Sequence, residues 1–171
     1  MTNEDIIRRV LRYEGGFVND PLDRGGATNR GITAATLGAW RKLGRAATVD
    51  EVRDMPEAEA IAIYTRNYIE RPSFDRIADM NLRMITVDAG VLHGTARAAK
   101  WLQIALGVGA DGAIGNRTIT ALDAANPARI VRQMLAARYA FFGDILAANP
   151  AQKRFARGWF ARVTDLLLDF A

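Results

Sequence analysis

Apolar residues recur at helical spacing along most of the chain, and one long irregular stretch interrupts this pattern between Phe17 and Ile32. Apolar residues three or four positions apart share one face of a helix, so the pattern predicts amphipathic helices. The last two predicted helices are the longest, at about 127–148 and 151–169. We therefore expect a mainly α-helical protein with at most a small β-hairpin after the first helix.

Composition restricts the kind of protein further. Half of the residues are apolar and a quarter are charged, as in ordinary soluble domains. No apolar run reaches the length of a membrane span, so we expect no membrane insertion. The chain has no cysteine and one histidine, His93. We therefore expect no disulfide, metal site or cofactor.

The net charge of +4 is unevenly spread. Residues 1–85 contain 13 basic and 13 acidic residues, whereas residues 86–171 contain 10 and 6. A basic second half suits a polyanionic partner, either an acidic cell wall or a nucleic acid. No nucleic-acid-binding motif is present, so we expect no nucleic acid partner.

Glu14 is the first candidate for chemistry. It continues the apolar stripe of the first predicted helix, which runs from Ile6 to Leu11, and Gly15-Gly16 predicts the helix end directly after it. Apolar surroundings and the negative end of a helix both favour a neutral carboxyl group, which a general acid requires. The alternative is that Glu14 is a solvent-exposed glutamate next to a glycine that ends the helix.

The irregular stretch after Glu14 contains further candidates. Turn signals at Asn19-Asp20-Pro21 and Gly25-Gly26 mark it as a loop, and long loops in compact domains are often functional. Two acids and three small polar residues lie close to Glu14 in sequence, namely Asp20, Asp23, Asn19, Thr28 and Asn29.

Several helix starts are predicted by capping residues. Thr2 with Asp5 and Thr48 with Glu51 have the spacing of a capping box, and Thr33 can cap a further helix. These pairs satisfy backbone N–H groups at a helix start, so they predict where the helices begin.

Three side chains lie on predicted apolar faces. Tyr64 and Tyr68 belong to one helix and are read as core aromatics, with the alternative that one faces a cleft. Asp88 also falls on an apolar face, where we favour a structural role over one in the site.

The segment Glu14–Pro21, followed by Gly25–Asn29 and Gly31–Thr33, resembles the start of a glycoside hydrolase family 108 muramidase. The similarity continues through Ile63-Tyr64 and Asp88–Gly90. In that family the glutamate of the Glu-Gly-Gly motif is the proposed catalytic acid. The resemblance therefore implies a lysozyme-like fold with Glu14 as the acid.

The second half resembles the predicted peptidoglycan-binding region that follows in such proteins. The similar segments are Ala99–Gln103, Asp111–Gly115, Thr118 and Gly158–Val163. The resemblance implies a catalytic region at 1–93 and a helical peptidoglycan-binding region at 94–171. No composition shift marks a flexible linker between them, so we expect the two regions to pack together as one compact unit. The family commonly has an asparagine near His93, where this chain has Leu92-His93-Gly94.

A looser resemblance concerns the second catalytic group. In phage lysozymes of the T4 type, eight residues separate the catalytic glutamate from an Asp or Cys, and five residues separate that Asp or Cys from a Thr. Here eight residues separate Glu14 from Asp23, and four separate Asp23 from Thr28. A second carboxylate can activate water or stabilise the cationic sugar, and a Thr hydroxyl can hold the water. Asp20 is the competing carboxylate.

These resemblances imply a muramidase that cleaves the β-1,4 bond between N-acetylmuramic acid and N-acetylglucosamine. The implied catalytic residues are Glu14, Asp23 and Thr28. The candidate substrate-binding residues are Asn19, Asn29, Thr33, Tyr64, Tyr68 and His93. The alternatives are a lytic transglycosylase, an inactive peptidoglycan-binding scaffold and, from the charge alone, a nucleic-acid binder.

The polar start of the chain, Met1–Asp5, lacks the features of a signal peptide. We therefore expect synthesis in the cytoplasm and action in the periplasm or at the cell wall after release. A phage or prophage endolysin released by a holin fits this expectation. A gene-transfer-agent lysin or a bacteriolytic effector delivered by a secretion machine fits it equally.

Overall fold

The computed structural model describes residues 1–19 and 26–171. This part of the chain forms nine α-helices and one two-stranded antiparallel hairpin. The mainly helical fold with a small hairpin after the first helix is therefore confirmed. The described residues divide into two compact units, Met1–Asn67 and Tyr68–Ala171.

The first unit contains four short helices and the hairpin. The helices are α1 (Asn3–Leu11), α2 (Ala34–Trp40), α3 (Val49–Arg53) and α4 (Glu57–Thr65), and the strands are β1 (Thr28–Asn29) and β2 (Ile32–Thr33). α1 packs against α4 because each presents an apolar face. The fully buried side chains of these faces are Ile6, Ile7 and Val10 on α1 and Ala60 on α4.

The predicted caps of this unit are confirmed. Thr2 and Thr48 form capping boxes with Asp5 and Glu51, so backbone and side chain satisfy each other at both helix starts. Thr33 caps α2 by accepting a hydrogen bond from the backbone N–H of Thr36 at 3.2 Å.

The predicted end of α1 is wrong. The helix ends at Leu11, and the backbone N–H groups of Arg12, Tyr13 and Glu14 each bond to the carbonyl three residues earlier. Such bonds tighten the last turn and satisfy its carbonyl groups, so no left-handed residue is needed. Neither Gly15 nor Gly16 has a positive φ. Glu14 consequently lies just beyond the helix.

The second unit is built from five helices: α5 (Met80–His93), α6 (Thr95–Leu106), α7 (Asn116–Asp123), α8 (Pro127–Ala148) and α9 (Lys153–Phe170). α5, α6 and α8 pack against one another, and α9 packs on α8. The predicted bounds of α8, about 127–148, are confirmed. α6 ends where Gly107 takes a φ of +74°, and Asn126 caps α8 through its side chain.

No helix in the described ranges is long and apolar enough to span a membrane.

The predicted helix carrying both Tyr64 and Tyr68 is also different. α4 ends at Thr65, and a π-helical turn follows at Arg66–Glu70. The wider turn rotates the residues after Thr65 relative to the α-helical stripe. Tyr64 is therefore a buried residue of α4, whereas Tyr68 is half-buried in the π-turn.

Asp88 is a structural acid, as the sequence favoured. Its side chain is fully buried in α5 and binds two arginines of the second unit. Arg138 Nη1 lies 2.8 Å from Oδ2, while Arg162 donates from Nε and Nη2 to Oδ1 at 2.9 and 2.7 Å. This cluster joins α5, α8 and α9, because each helix supplies one charged side chain.

Candidate active site

The hairpin of the first unit turns at Arg30 and Gly31. Thr28 pairs with Thr33 and Asn29 pairs with Ile32, so two residues make the turn. Both have positive φ, +50° at Arg30 and +74° at Gly31, as a type I′ turn requires. Glycine accepts this backbone without strain, whereas Arg30 is held in it at a cost of order 1–3 kcal/mol.

Glu14 and Tyr64 meet at this turn. A methyl group placed on Gly31 would lie 2.9 Å from Glu14 Oε2 and 2.5 Å from the Tyr64 hydroxyl oxygen. Both distances are shorter than van der Waals contacts, so both side chains lie directly against the glycine. Glu14 is half-buried, so the sequence-predicted acid is partly accessible beside Gly31, a position with no room for a side chain.

Tyr64 fixes the other side of the turn. Its side chain is 3% exposed, and its hydroxyl donates a hydrogen bond to the carbonyl oxygen of Arg30 at 3.0 Å. Such burial leaves little ring surface for a sugar. The structure therefore gives Tyr64 a positioning role, and its predicted contact with substrate stays a prediction.

Thr28 lies at the start of the hairpin and is half-buried. Its backbone forms a pair of hydrogen bonds with Val18, at 2.8 and 2.9 Å, which brings the chain just after Glu14 back to the hairpin. Its hydroxyl donates to the carbonyl of Gly26 at 3.4 Å. Asn19, next to Val18, is exposed. Asp20 and Asp23 lie outside the described residues.

Two other predicted binding residues have structural partners. Asn29 is 4% exposed, and its amide donates to the carbonyls of Val52 and Arg53 at 3.0 and 3.1 Å. It therefore ties the hairpin to the end of α3. Thr33 is half-buried and is the N-cap of α2. Their contacts with substrate stay predictions.

Tyr68 and His93 belong to the second unit. The His93 ring lies edge-on to Trp101 and Phe141, with centroids 5.1 and 5.3 Å apart. Burial, followed by the nearby charge of Arg138, lowers the pKa of His93 to about 4, so the ring is neutral near pH 7. The structure thus places His93 in an aromatic cluster.

The glycine-rich turn between α6 and α7 is organised by Gln103. This buried side chain donates to Asp111 Oδ1 at 2.7 Å and to the Ala113 carbonyl at 2.9 Å, and it accepts from the Gly112 N–H at 2.8 Å. Its amide also lies 3.2 Å from the hydroxyl of Thr118. The Gln103, Asp111 and Thr118 side chains, which belong to the second-half resemblance, therefore make structural contacts here.

An arginine-lined hollow of about 380 Å³ lies along α1 in the first unit. Its lining residues come from α1, its C-terminal turn, the hairpin turn and α4, and they are Asp5, Arg8, Arg9, Leu11, Arg12, Arg30 and Glu57. Arg8 forms ion pairs with Glu4 and Glu57. The hollow is lined by more basic than acidic side chains. The positions of these residues in the sequence did not indicate that they would meet.

The described residues contain no group of three or more His, Cys, Asp or Glu side chains that could hold a metal.

Residues 7–94, which include the Glu14 site, match the family model described as Glycosyl hydrolase 108. The chain belongs to glycosyl hydrolase family 108. Residues 97–164 of this family 108 protein match a second model, described as a Predicted Peptidoglycan domain. The protein is therefore a glycoside hydrolase that acts on peptidoglycan, and peptidoglycan is its partner.

The family 108 protein is similar to a solved structure titled "Structure of Brucella abortus SagA". The two are 35% identical, with a TM-score of 0.77, over 98% of this chain and 94% of that one. The expected lysozyme-like, mainly helical fold is therefore confirmed. No match was found among curated proteins. The division into regions 1–93 and 94–171 stays a prediction. The first family match ends at residue 94 and the second begins at residue 97, whereas the boundary between the two compact units follows Asn67.

Proposed function

We propose that this family 108 hydrolase is an N-acetylmuramidase that cleaves the β-1,4 bond between N-acetylmuramic acid and N-acetylglucosamine, with Glu14 as the general acid. The observation that carries the proposal is the position of Glu14. Its carboxyl group lies partly accessible against the Gly31 turn, within the part of the chain that matches the hydrolase family. A protonated carboxyl group at the scissile oxygen is the common requirement of glycoside hydrolysis.

In the proposed reaction, Glu14 gives its proton to the leaving oxygen as the bond from that oxygen to the anomeric carbon breaks. A water molecule supplies the hydroxyl group that bonds to the anomeric carbon. Asp23 accepts the remaining proton of the water or supports the cationic sugar, and the Thr28 hydroxyl orients the water. The roles of Asp23 and Thr28 rest on the resemblance to phage lysozymes.

Tyr64 and Gly31 contribute by positioning. The Tyr64 hydroxyl holds the Arg30 carbonyl and so the turn, while the missing side chain of Gly31 leaves room for the Glu14 carboxyl group. A displacement of about 1 Å at a reacting group can lower the rate by about 10²-fold, so the turn matters although it supplies no reacting atom.

The test is digestion of purified peptidoglycan by the wild-type chain, Glu14→Gln and Glu4→Gln, with the products identified by mass spectrometry. Glu4→Gln makes the same change on the exposed side of α1. We expect muropeptides with reducing muramic acid ends from the wild type and Glu4→Gln, and none from Glu14→Gln. Products with 1,6-anhydro ends would instead identify a lytic transglycosylase. Wall binding without release by any of the three would identify an inactive scaffold.

The second carboxylate is tested in the same assay by Asp23→Asn and Asp20→Asn. We expect Asp23→Asn to lower the rate by about 10²-fold or more, as expected for loss of an acid–base or electrostatic group, and Asp20→Asn to have little effect. The reverse order would assign the role to Asp20.

We also propose that the protein acts in the periplasm or at the cell wall, where its substrate is found, and that its action lyses bacteria. Delivery by a holin or a secretion machine is part of this proposal. Expression in a Gram-negative host with and without a fused export signal tests it: lysis is expected only when the chain is exported and Glu14 is intact.

A further inference from the structure

An apolar groove of about 370 Å³ lies between α6 and α8 of the second unit. Its volume is in the range of small-ligand sites. Its walls are two aromatic rings, an isoleucine and several alanines, with one amide and one carboxylate, and the lining residues are Trp101, Ile104, Ala105, Gln133, Ala137, Ala140, Phe141 and Asp144. Ile104 is 64% exposed, although apolar side chains of this size are usually buried.

The aromatic walls of the groove are fixed from behind. The rings of Trp101 and Phe141 meet edge to face, with centroids 5.5 Å apart, and His93 lies edge-on to both. The guanidinium group of Arg97 lies 4.4 Å from the centre of the Phe141 ring. These contacts hold both rings in place before any ligand binds, which reduces the entropy lost on binding.

The charge of the lining limits the occupant. Asp144 is the one charged residue among the described residues that line the groove, and Gln133 supplies an amide. Among the lining residues, a nucleic acid or the carboxylates of a peptide stem would meet a negative charge and no basic group, since Arg97 contacts the Phe141 ring but does not line the groove. An uncharged, N-acetylated sugar offers apolar ring faces for the aromatic walls, and hydroxyl and amide groups for Asp144 and Gln133.

We infer that this groove binds the glycan backbone of peptidoglycan, through the N-acetylated sugar rings rather than the peptide stems. Every lining residue lies within 97–164, the part that matches the Predicted Peptidoglycan domain. The inference rests on the proposed action on peptidoglycan, and it assigns wall binding to a defined surface. In this account His93 supports the Trp101 and Phe141 rings and does not itself contact the sugar.

The test titrates the full chain with a soluble probe, the β-1,4-linked tetramer of N-acetylglucosamine, and follows the Trp101 indole N–H signal by NMR. Titrations use the Glu14→Gln background so that the probe is not cleaved. Ile104→Glu places a charge at the groove. Leu168→Glu makes the same kind of change at an apolar residue of α9 that is 77% exposed and does not line the groove.

We expect the tetramer to shift the Trp101 signal of the parent and of Leu168→Glu, and Ile104→Glu to weaken binding by about tenfold or more. Equal affinity of the two variants, or shifts confined to Trp40 and Trp159, would overturn the inference. Concentration-dependent dimers that Ile104→Glu dissolves, without sugar binding, would instead identify the groove as a contact between two copies. Release of muropeptides by the wild-type chain tests the proposed muramidase activity independently of sugar binding at the groove. A negative result for one proposal therefore leaves the other standing.

Discussion

The two compact units each contain an acidic side chain at least partly removed from solvent, and the two acids differ in what surrounds them. In the second unit, both oxygens of Asp88 are bound by guanidinium groups and the side chain is fully buried. In the first unit, Glu14 lies half-buried at a hairpin turn beside a tyrosine hydroxyl. Glu14 is partly exposed to solvent, whereas Asp88 is not. Accessibility, and not residue type or helical register, separates the candidate catalytic acid from the structural one.

The units also differ in how they are held together. The first uses short helices joined by polar contacts to backbone carbonyls, such as those of Tyr64 and Asn29. The second uses longer helices around a buried ion cluster and a set of aromatic rings. We therefore expect substitutions of buried polar groups to reduce activity in the first unit and stability in the second.

The largest effect is expected at Asp88. Asp88→Asn removes the negative charge that contacts both Arg138 and Arg162 inside the cluster, so the two buried guanidinium groups lose part of their charge compensation. Removing one partner of a buried ion pair costs about 3–5 kcal/mol of unfolding free energy. Urea denaturation checks this, with Asp123→Asn on the exposed end of α7 as the control. A loss below about 1 kcal/mol at Asp88 would mean that the cluster is not needed for stability.

Gly31→Ala is expected to have the next largest effect, on activity more than on stability. The methyl group would contact Glu14 and Tyr64 and displace them, which we expect to lower the rate by about 10²-fold. Gly44→Ala is a matched control, since Gly44 has a similar φ of +69° but open space around its Cα. Equal activity of the two variants would show that only backbone strain matters at Gly31.

Tyr64→Phe is expected to have a smaller effect. It removes the hydrogen bond to the Arg30 carbonyl while keeping the ring, at a cost of about 1 kcal/mol, and should lower the rate several-fold. Thermal unfolding and peptidoglycan digestion measure both. Tyr139→Phe, which loses an exposed hydroxyl contact to Thr164 in the second unit, should leave the rate unchanged. A rate equal to wild type for Tyr64→Phe would remove its positioning role.

The last prediction concerns His93, whose pKa is lowered to about 4, chiefly by burial. The unfolded chain binds a proton at this histidine near pH 6.5, before the folded chain does. The stability contributed by neutral His93 is therefore present above about pH 6.5 and is lost as the pH falls toward 4. NMR titration of this one histidine measures the pKa directly, and a value near 6.5 would contradict the buried position.

Local signals predicted much of the fold. The caps at Thr2, Thr33 and Thr48 depend on residues close by in the sequence, so sequence alone located them. The end of α1 was predicted wrongly because Gly15-Gly16 is a strong sequence signal for a helix end. In the structure the helix ends before these glycines, in a turn made by the backbone hydrogen bonds of residues 12–14.

The candidate site was only partly predictable. Glu14 was found from its motif and Asp88 from its apolar face, but the arginine partners of Asp88 lie 50 and 74 residues further along the chain and give no local signal. The meeting of Glu14 and Tyr64 at Gly31 also depends on tertiary packing. A two-residue Arg30-Gly31 turn between short β segments was the signal that could have located it.

One pelleting assay on insoluble peptidoglycan, run with the wild type and Glu14→Gln, tests most directly whether Glu14 carries out the hydrolysis while a separate surface binds the wall. The bound fraction and the reducing ends released are read from the same tubes. We predict that Glu14→Gln binds as wild type does while release falls by about 10³-fold, because the acid is lost and the binding surface is intact. Release within about tenfold of wild type would contradict Glu14 as the general acid.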